Sequence, residues 1–267
     1  MQAARNRPDD RYPATAVAAR QMGGDTSVLY ELARRTARAI SDLPSNFMLD
    51  SATYERGGEL GVDGLDFYVC GRGGALGRVD AGVVTAVFVF FNPSSIRDRW
   101  ERGSRVMAPL DAAAAFAGCL YEWSARHLDP DVDYEHLGAL LGRVLDEANP
   151  AGAPLFAAWR SLPEPEDPTA LAMHRLNALR ELRGALHASC VLASGLDPLV
   201  ALLVKAPLMA AIFGWEEPYP DVELAREAWC AAASATDRAM GRVLNVLEGK
   251  DVDDLAELLE KAHSGVH

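Results

Sequence analysis

The sequence lacks the compact motifs that identify the commonest metal-dependent and nucleophilic enzymes. It contains no CxxC pair, no HExxH, no GxSxG and no zinc-finger or RNP pattern. Its four cysteines, Cys70, Cys119, Cys190 and Cys230, are far apart, so we interpret them as reduced thiols in apolar surroundings. No metal site is predicted, and the sequence leaves the cofactor unknown.

Long apolar runs are also absent. The most apolar stretch, 199–213, is too short to cross a bilayer and is interrupted by Lys205 and Pro207. The first ten residues do not have the apolar centre of a secretory signal. These observations predict a cytoplasmic protein with no membrane association.

Positive charge is scarce. The chain has 26 Lys and Arg against 38 Asp and Glu, a formal net charge of -12. Nucleic-acid binding depends largely on a positive surface. The charge balance therefore disfavours nucleic acid as a partner.

The amino-acid composition is that of an ordinary globular protein, with 49% hydrophobic and 24% charged residues among 267. Pairs that typically start a helix, such as Asp167-Pro168 and Asp197-Pro198, precede long segments with the hydrophobic periodicity of a helix. The pattern predicts an all-α protein with a single domain of about nine to eleven helices around one core. We expect a polar N-terminal arm over 1–25 and the helical domain over 26–262, with any sub-boundary near 163–168.

The segment 83–91 is ambiguous between helix and strand. Its Val and Phe content is typical of a buried strand. However, Asp80 is a good helix cap, Asn92-Pro93 begins another helix, and no comparable partner strand exists. We therefore interpret it as a buried helix.

The glycine-rich run 71–77 suggests a phosphate-binding loop. A dinucleotide fingerprint needs glycine at position 76, which is Leu76, and it needs a βαβ unit that this chain lacks. We prefer to interpret the run as a plain turn.

The stretch 179–187 is the best candidate for a site. On a helix, Arg180, Arg183, Gly184 and His187 share one side, on a segment whose leucines indicate burial. Glycine inside a helix costs about 1 kcal/mol relative to alanine, which suggests close approach by a backbone or a ligand. Two interpretations stay open: an anion-binding pocket with His187 as acid or base, or a salt-bridge network that includes Glu181.

Four further residues are candidates for ligand contact. Arg72 lies between glycines and follows an aromatic pair that includes Tyr68. Asn92 is most simply a helix cap, and Trp215 either covers a pocket or fills the core.

Several stretches resemble an uncharacterised actinobacterial family classified as helix-turn-helix. The likeness covers roughly 30–260, with a thin level of identity, and an LREHRGDGH-like motif characterises the family. The matching stretches are 67–77, 83–88, 92–93, 162–168, 179–187, 193–197 and 235–237. This sequence has Gly184-Ala185-Leu186-His187 where the family motif has an acidic residue before the histidine.

The resemblance implies an all-helical core with a winged-helix-like insertion. That insertion would fall between Val204 and Asp221, where only the short connection 213–220 stands. The resemblance therefore implies that most of the DNA-binding segment is missing, whereas Arg72, Arg180, Arg183 and His187 are retained.

The main hypothesis is a small-molecule-binding helical protein, either an enzyme or an accessory protein of specialised metabolism. His187 would be the catalytic residue, and the arginines would hold a small polar or anionic molecule. A first alternative is a transcription regulator that retains a helix-turn-helix role. A second is a helical interaction module, for example a homodimer paired through 221–247 and 252–262.

Overall fold

The computed structural model describes residues 26–266, and within that range it is all-α, with thirteen α-helices, three short 3₁₀ helices and no strand. The 3₁₀ helices are Leu43–Leu49, Glu223–Ala225 and Leu244–Val246. The α-helices are α1 Thr26–Asp42, α2 Ser51–Glu59, α3 Gly64–Gly74, α4 Ala81–Val87, α5 Pro93–Val106, α6 Pro109–His127, α7 Tyr134–Glu147, α8 Pro154–Arg160, α9 Pro168–Ala193, α10 Pro198–Lys205, α11 Met209–Ile212, α12 Arg226–Val243 and α13 Lys250–Ser264.

The predicted all-α class is confirmed, but the predicted number of helices is too low. Part of the excess arises where one helix was expected from Pro198 to Gly214. The structure contains two there, α10 and α11, because Pro207 cannot donate a backbone hydrogen bond and the helix ends before it. The predicted arm 1–25 lies outside the described residues.

The helix starts follow the predicted caps. The side chain of Asp167 accepts from the N–H of Ala170, and Asn92 accepts from Ser94 and Ser95. In both cases a proline follows at the first helical position, where its missing N–H costs nothing. Each such cap contributes about 1 kcal/mol to helix stability.

The 26-residue helix α9 is the central element of the fold. It packs against α6, α7, α8 and α12, and its buried face includes Met173, Leu176 and Leu179. One hydrophobic cluster contains residues from both sides of the 163–168 break, as well as the aromatic group Phe47, Phe67, Phe88 and Phe116.

The glycine run 71–74 is neither a loop nor a turn, because it forms the last part of α3. A Cβ at Gly71 would lie 2.5 Å from Phe116, and one at Gly74 would lie 2.1 Å from the carbonyl oxygen of Pro109. These glycines allow α3 to pack tightly on α6. The turn interpretation is therefore wrong for 71–74, whereas 75–77 do form a turn, in which Gly77 has a positive φ of 71°. The phosphate loop is also wrong, because its N–H groups would have to be free.

The ambiguous segment contains the helix α4, which ends at Val87. Residues 88–92 form an irregular connection, although Phe88 and Phe91 within it are buried. The helical interpretation is confirmed for the first half only. It overstated the burial, since Val83 is 43% exposed.

The apolar faces of α12 and α13 are covered within the chain. Both helices pack against α1, and Leu255, Leu258 and Leu259 of α13 are buried there. Their amphipathic pattern therefore reflects intramolecular packing and gives no support to pairing between chains.

No single helix among residues 26–266 is long and apolar enough to cross a membrane. The pair α9 and α10 would satisfy length and composition together, but the chain bends by 115° between them.

Candidate functional site

A cavity of about 640 Å³ lies against the second half of α9. Its volume is within the usual range for small-molecule sites. The wall is built mainly from α3, the connection after α4 and α9, with further residues from the ends of α1 and α10, the start of α8 and the segment after α11. The apolar part of this wall consists mainly of Val87, Phe88, Val89, Phe90, Phe91, Leu155, Leu192 and Phe213.

A buried ion-pair triad forms the polar end of the cavity. Arg72 on α3 donates from Nε and Nη2 to the two carboxylate oxygens of Glu181 on α9, at 2.7 and 2.8 Å. Arg180 donates to the same carboxylate at 2.9 Å, and Arg72 also donates to the hydroxyl of Tyr68 at 3.3 Å. One carboxylate therefore serves two guanidinium groups, which leaves one positive charge in excess.

The electrostatics of the triad favour the ionised forms of its members. Burial alone would raise the pKa of Glu181, but the adjacent Arg72 and Arg180 hold that pKa below its ordinary value. Burial likewise opposes the charge on Arg72, whose pKa is nevertheless raised by Glu181 and Tyr68. Arg72 also lies over the ring of Phe88, 4.6 Å from its centroid.

Arg183 and His187 lie on the same side of α9, one turn apart. Arg183 donates from Nη2 to Asp237 on α12 at 3.3 Å, a long contact. Its Nε is buried and has no hydrogen-bond partner among the described residues. Such an unsatisfied buried donor costs about 1–3 kcal/mol.

His187 is held as a neutral imidazole of defined tautomer. Its Nδ1 lies 3.1 Å from Oγ1 of Thr236, and that hydroxyl already donates to the carbonyl of Ala232. The hydroxyl therefore accepts from Nδ1–H, which leaves Nε2 as a bare acceptor or base. Burial, together with Arg183 and Lys205, lowers the pKa of His187 to about 4.

Gly184 opens the wall between these two side chains. A Cβ built there would meet nothing within 4 Å, so no neighbouring protein atom requires a glycine. The expected close approach by a backbone is therefore wrong. The open space belongs to the cavity, which Gly184 lines.

The structure brings together most of the candidate residues and leaves two apart. Tyr68, Arg72, Arg180, Arg183 and His187 all line the cavity. Asn92 and Trp215 lie instead in a shallow surface depression. Asn92 caps α5, as its simplest interpretation predicts. The indole N–H of Trp215 donates to the carbonyl of Phe90 at 2.9 Å.

Sequence reasoning missed the apolar wall, because Phe90, Phe91 and Phe213 converge only in the tertiary structure. It also missed Lys205, which has no sequence signal beyond its position at the end of an apolar helix. Thr236 and Asp237 had one available signal, since 235–237 was among the matching stretches of the resemblance. Among residues 26–266 no group of three or more His, Cys, Asp or Glu could hold a metal ion.

Next to the cavity, α9 and α10 form a bent helical pair. The chain turns by 115° over residues 194–197, and Gly195 adopts a positive φ of 72° there. Two helices at such an angle, joined by a short turn with glycine, have the geometry of a helix-turn-helix unit. A family model described as a helix-turn-helix family matches residues 33–235, about three quarters of the chain.

This chain belongs to that helix-turn-helix family. Neither the curated proteins nor the solved structures contain a match to it. The family membership confirms the resemblance seen in the sequence, without showing an actinobacterial origin.

Membership also contradicts the expectation that nucleic acid is not a partner, because helix-turn-helix units are nucleic-acid-binding elements. The net charge of -12 is an average over the whole surface, whereas nucleic-acid binding depends on the local potential, so the charge does not decide the question. Helix α5, for example, has four arginines, of which Arg97, Arg102 and Arg105 are exposed.

Proposed function

We propose that this protein is a cytoplasmic nucleic-acid-binding regulator whose cavity binds a small organic molecule. Family membership supports the first half of the proposal. One observation carries the connection between the two halves: the same helix, α9, lines the cavity and forms the first member of the bent pair. Lys205 at the end of α10 lines the cavity as well, so an occupant would contact both helices of the pair.

The coupling follows from this shared wall. A molecule bound between Arg183 and Lys205 would favour whichever angle between α9 and α10 lets both side chains reach it. A ligand shifts a conformational equilibrium by its difference in affinity for the two arrangements. Nucleic-acid affinity would then differ between the filled and the empty cavity.

The described helix best suited to contact phosphates is α5. It is 14 residues long and carries four arginines against two carboxylates, with Arg99 and Arg102 paired to Asp66 on α3. Arg105 is 75% exposed and pairs with Glu101 on the same helix at 3.7 Å, a long surface contact for which a phosphate can compete. Exposed arginine side chains bind phosphate.

The test is a fluorescence-anisotropy titration of labelled fragments of the source genome, from about 50 to 200 mM salt. We expect salt-dependent binding, and we expect the double variant Arg97→Ala/Arg105→Ala to weaken it and reduce the salt slope by about 2. The matched control is Arg34→Ala/Arg38→Ala, which removes two exposed arginines from α1. If no binding were detected at the lowest salt concentration, the nucleic-acid-binding part of the proposed function would be overturned.

A second candidate function is acid–base chemistry in the cavity, which the bare Nε2 of His187 favours. The variant His187→Ala should abolish turnover or weaken ligand binding while the helical fold is retained. Native mass spectrometry of the purified protein, compared with its denatured mass, tests for a retained occupant of a few hundred daltons. Unchanged affinity and activity in His187→Ala would remove this candidate.

A further inference from the structure

We infer that the cavity accepts an aromatic organic anion, whose acidic group meets Arg183 while its ring system lies among the phenylalanine side chains. The inference rests on the proposed function, since it assumes that the cavity binds a small molecule. It adds the chemical class of that molecule.

The charge of the cavity wall is the first observation. Among the described lining residues four are cationic, Arg72, Arg180, Arg183 and Lys205, whereas only Asp42 and Glu181 are carboxylates. The wall is therefore positive in a chain of net charge -12. Because Glu181 is already shared by two arginines, a further anion is the group that would complete the balance.

The second observation is the position of unused donors. Arg183 lines the cavity, and the hydrogen bond of its guanidinium within the described residues is the 3.3 Å contact from Nη2 to Asp237. The ammonium group of Lys205 lies 5.8 Å from the centroid of the Trp229 ring, and no carboxylate pairs with it among the described residues. A guanidinium presents its donors as a planar fork that fits a carboxylate or sulfonate.

The aromatic character of the opposite wall is the third observation. Phe91 and Phe213 are stacked, with ring centroids 3.7 Å apart and an interplanar angle of 15°. Phe90 lies 5.6 Å from the ring of His187. A flat ring system fits such walls by offset stacking and by edge-to-face contact. Gly184 provides the open space next to them.

Two fluorescent probes of the same ring system test the inference. They are 8-anilinonaphthalene-1-sulfonate and N-phenyl-1-naphthylamine, which lacks the sulfonate. We expect the anionic probe to bind at least about tenfold more tightly than the neutral one, in line with the strength of charge-assisted hydrogen bonds. The variant Arg183→Met should remove most of this difference by weakening the anionic probe alone.

Lys205→Met provides a second charge variant at an exposed position, in case Arg183→Met does not fold. Arg34→Met is the control, because Arg34 is exposed and its ion pair with Glu31 lies within α1. Circular dichroism checks the fold of each variant.

The variant Gly184→Trp, which places an indole in the open space at the cavity wall, separates the two possible failures. If it abolishes binding of both probes, but wild-type protein binds them equally, the cavity binds small molecules and the inference of an anion is wrong. If both probes bind Gly184→Trp with full affinity, the cavity is not their site. That result overturns the ligand half of the proposed function together with the inference.

Discussion

Helices α3 and α9 both contain glycines in their interior, and the surroundings of those glycines differ completely. In α3, a Cβ at Gly74 would lie 2.1 Å from a backbone oxygen of α6. In α9, a Cβ at Gly184 would meet nothing within 4 Å. The first glycine allows two helices to approach each other, and the second leaves a cavity open. The same residue in the same secondary structure therefore serves opposite purposes.

The two helices meet at the pair of Arg72 and Glu181, and breaking that pair has the largest expected effect. Glu181→Gln keeps the shape of the side chain but leaves the guanidinium groups of Arg72, which is largely buried, and of Arg180, which is partly buried, without a counter-charge. Removing one partner of a buried pair costs about 3–5 kcal/mol. Chemical denaturation should show a loss of this size in the free energy of unfolding.

The control for this variant is Glu59→Gln, which removes a surface partner of Arg56. It should cost less than about 1 kcal/mol. A comparable small loss in Glu181→Gln would mean that water, and not the carboxylate, satisfies the two arginines.

Gly74→Ala tests the tight packing of α3 on α6. The added methyl group collides with the backbone of Pro109, which cannot rotate away. Overpacking of this kind costs about 1–3 kcal/mol, and it outweighs the gain of about 1 kcal/mol in helix propensity. Thermal unfolding measures the loss, and a stabilised variant would contradict the close approach of α3 and α6.

On the cavity side of the comparison, next to Gly184 in α9, His187 should make the free energy of unfolding depend on pH. Its pKa is about 4 in the folded chain, against about 6.5 when unfolded. The unfolded chain therefore binds the proton more readily, and stability is lost as pH falls from about 7 towards 4. The contribution amounts to about 2 kcal/mol between pH 7.5 and pH 5.

Comparison with His187→Gln measures this contribution. The variant cannot titrate at the position, so its stability should fall less steeply than that of the wild type over the same pH range. If the free energies of unfolding of the two proteins fell in parallel with pH, His187 would be more solvated in solution than its burial in the structure indicates.

Gly184→Ala has the smallest expected effect, and its sign is opposite to that of Gly74→Ala. Alanine is a better helix former by about 1 kcal/mol, and no neighbour obstructs its methyl group. We therefore expect a gain of up to about 1 kcal/mol in the free energy of unfolding. A loss would show that the cavity wall closes on this position in solution.

Local sequence signals were sufficient for the helical class and for most helix starts. Asn92-Pro93, Asp167-Pro168 and Asp197-Pro198 each begin a helix because the cap and the proline act within a few residues. The same local reasoning failed for 71–74, since the propensity of glycine for turns is weaker than the contacts that hold α3 against α6.

The polar half of the candidate site was also visible in the sequence. Arg180, Arg183 and His187 share one side of α9 because helical periodicity alone places them there. Glu181 was visible as a candidate partner, whereas Arg72 and Asp237 were not, because they are far away along the chain and meet α9 only through tertiary contacts.

The sequence by itself determined an all-α chain, the positions of its helix caps and a helix side with two arginines and a histidine. Only the tertiary structure decided that Glu181 neutralises Arg72 and Arg180, that the Nε of Arg183 has no partner, and that phenylalanines from separate segments form a wall opposite. The physical reason is range: caps and periodicity act over a few residues, whereas a cavity is the space that distant elements leave between them.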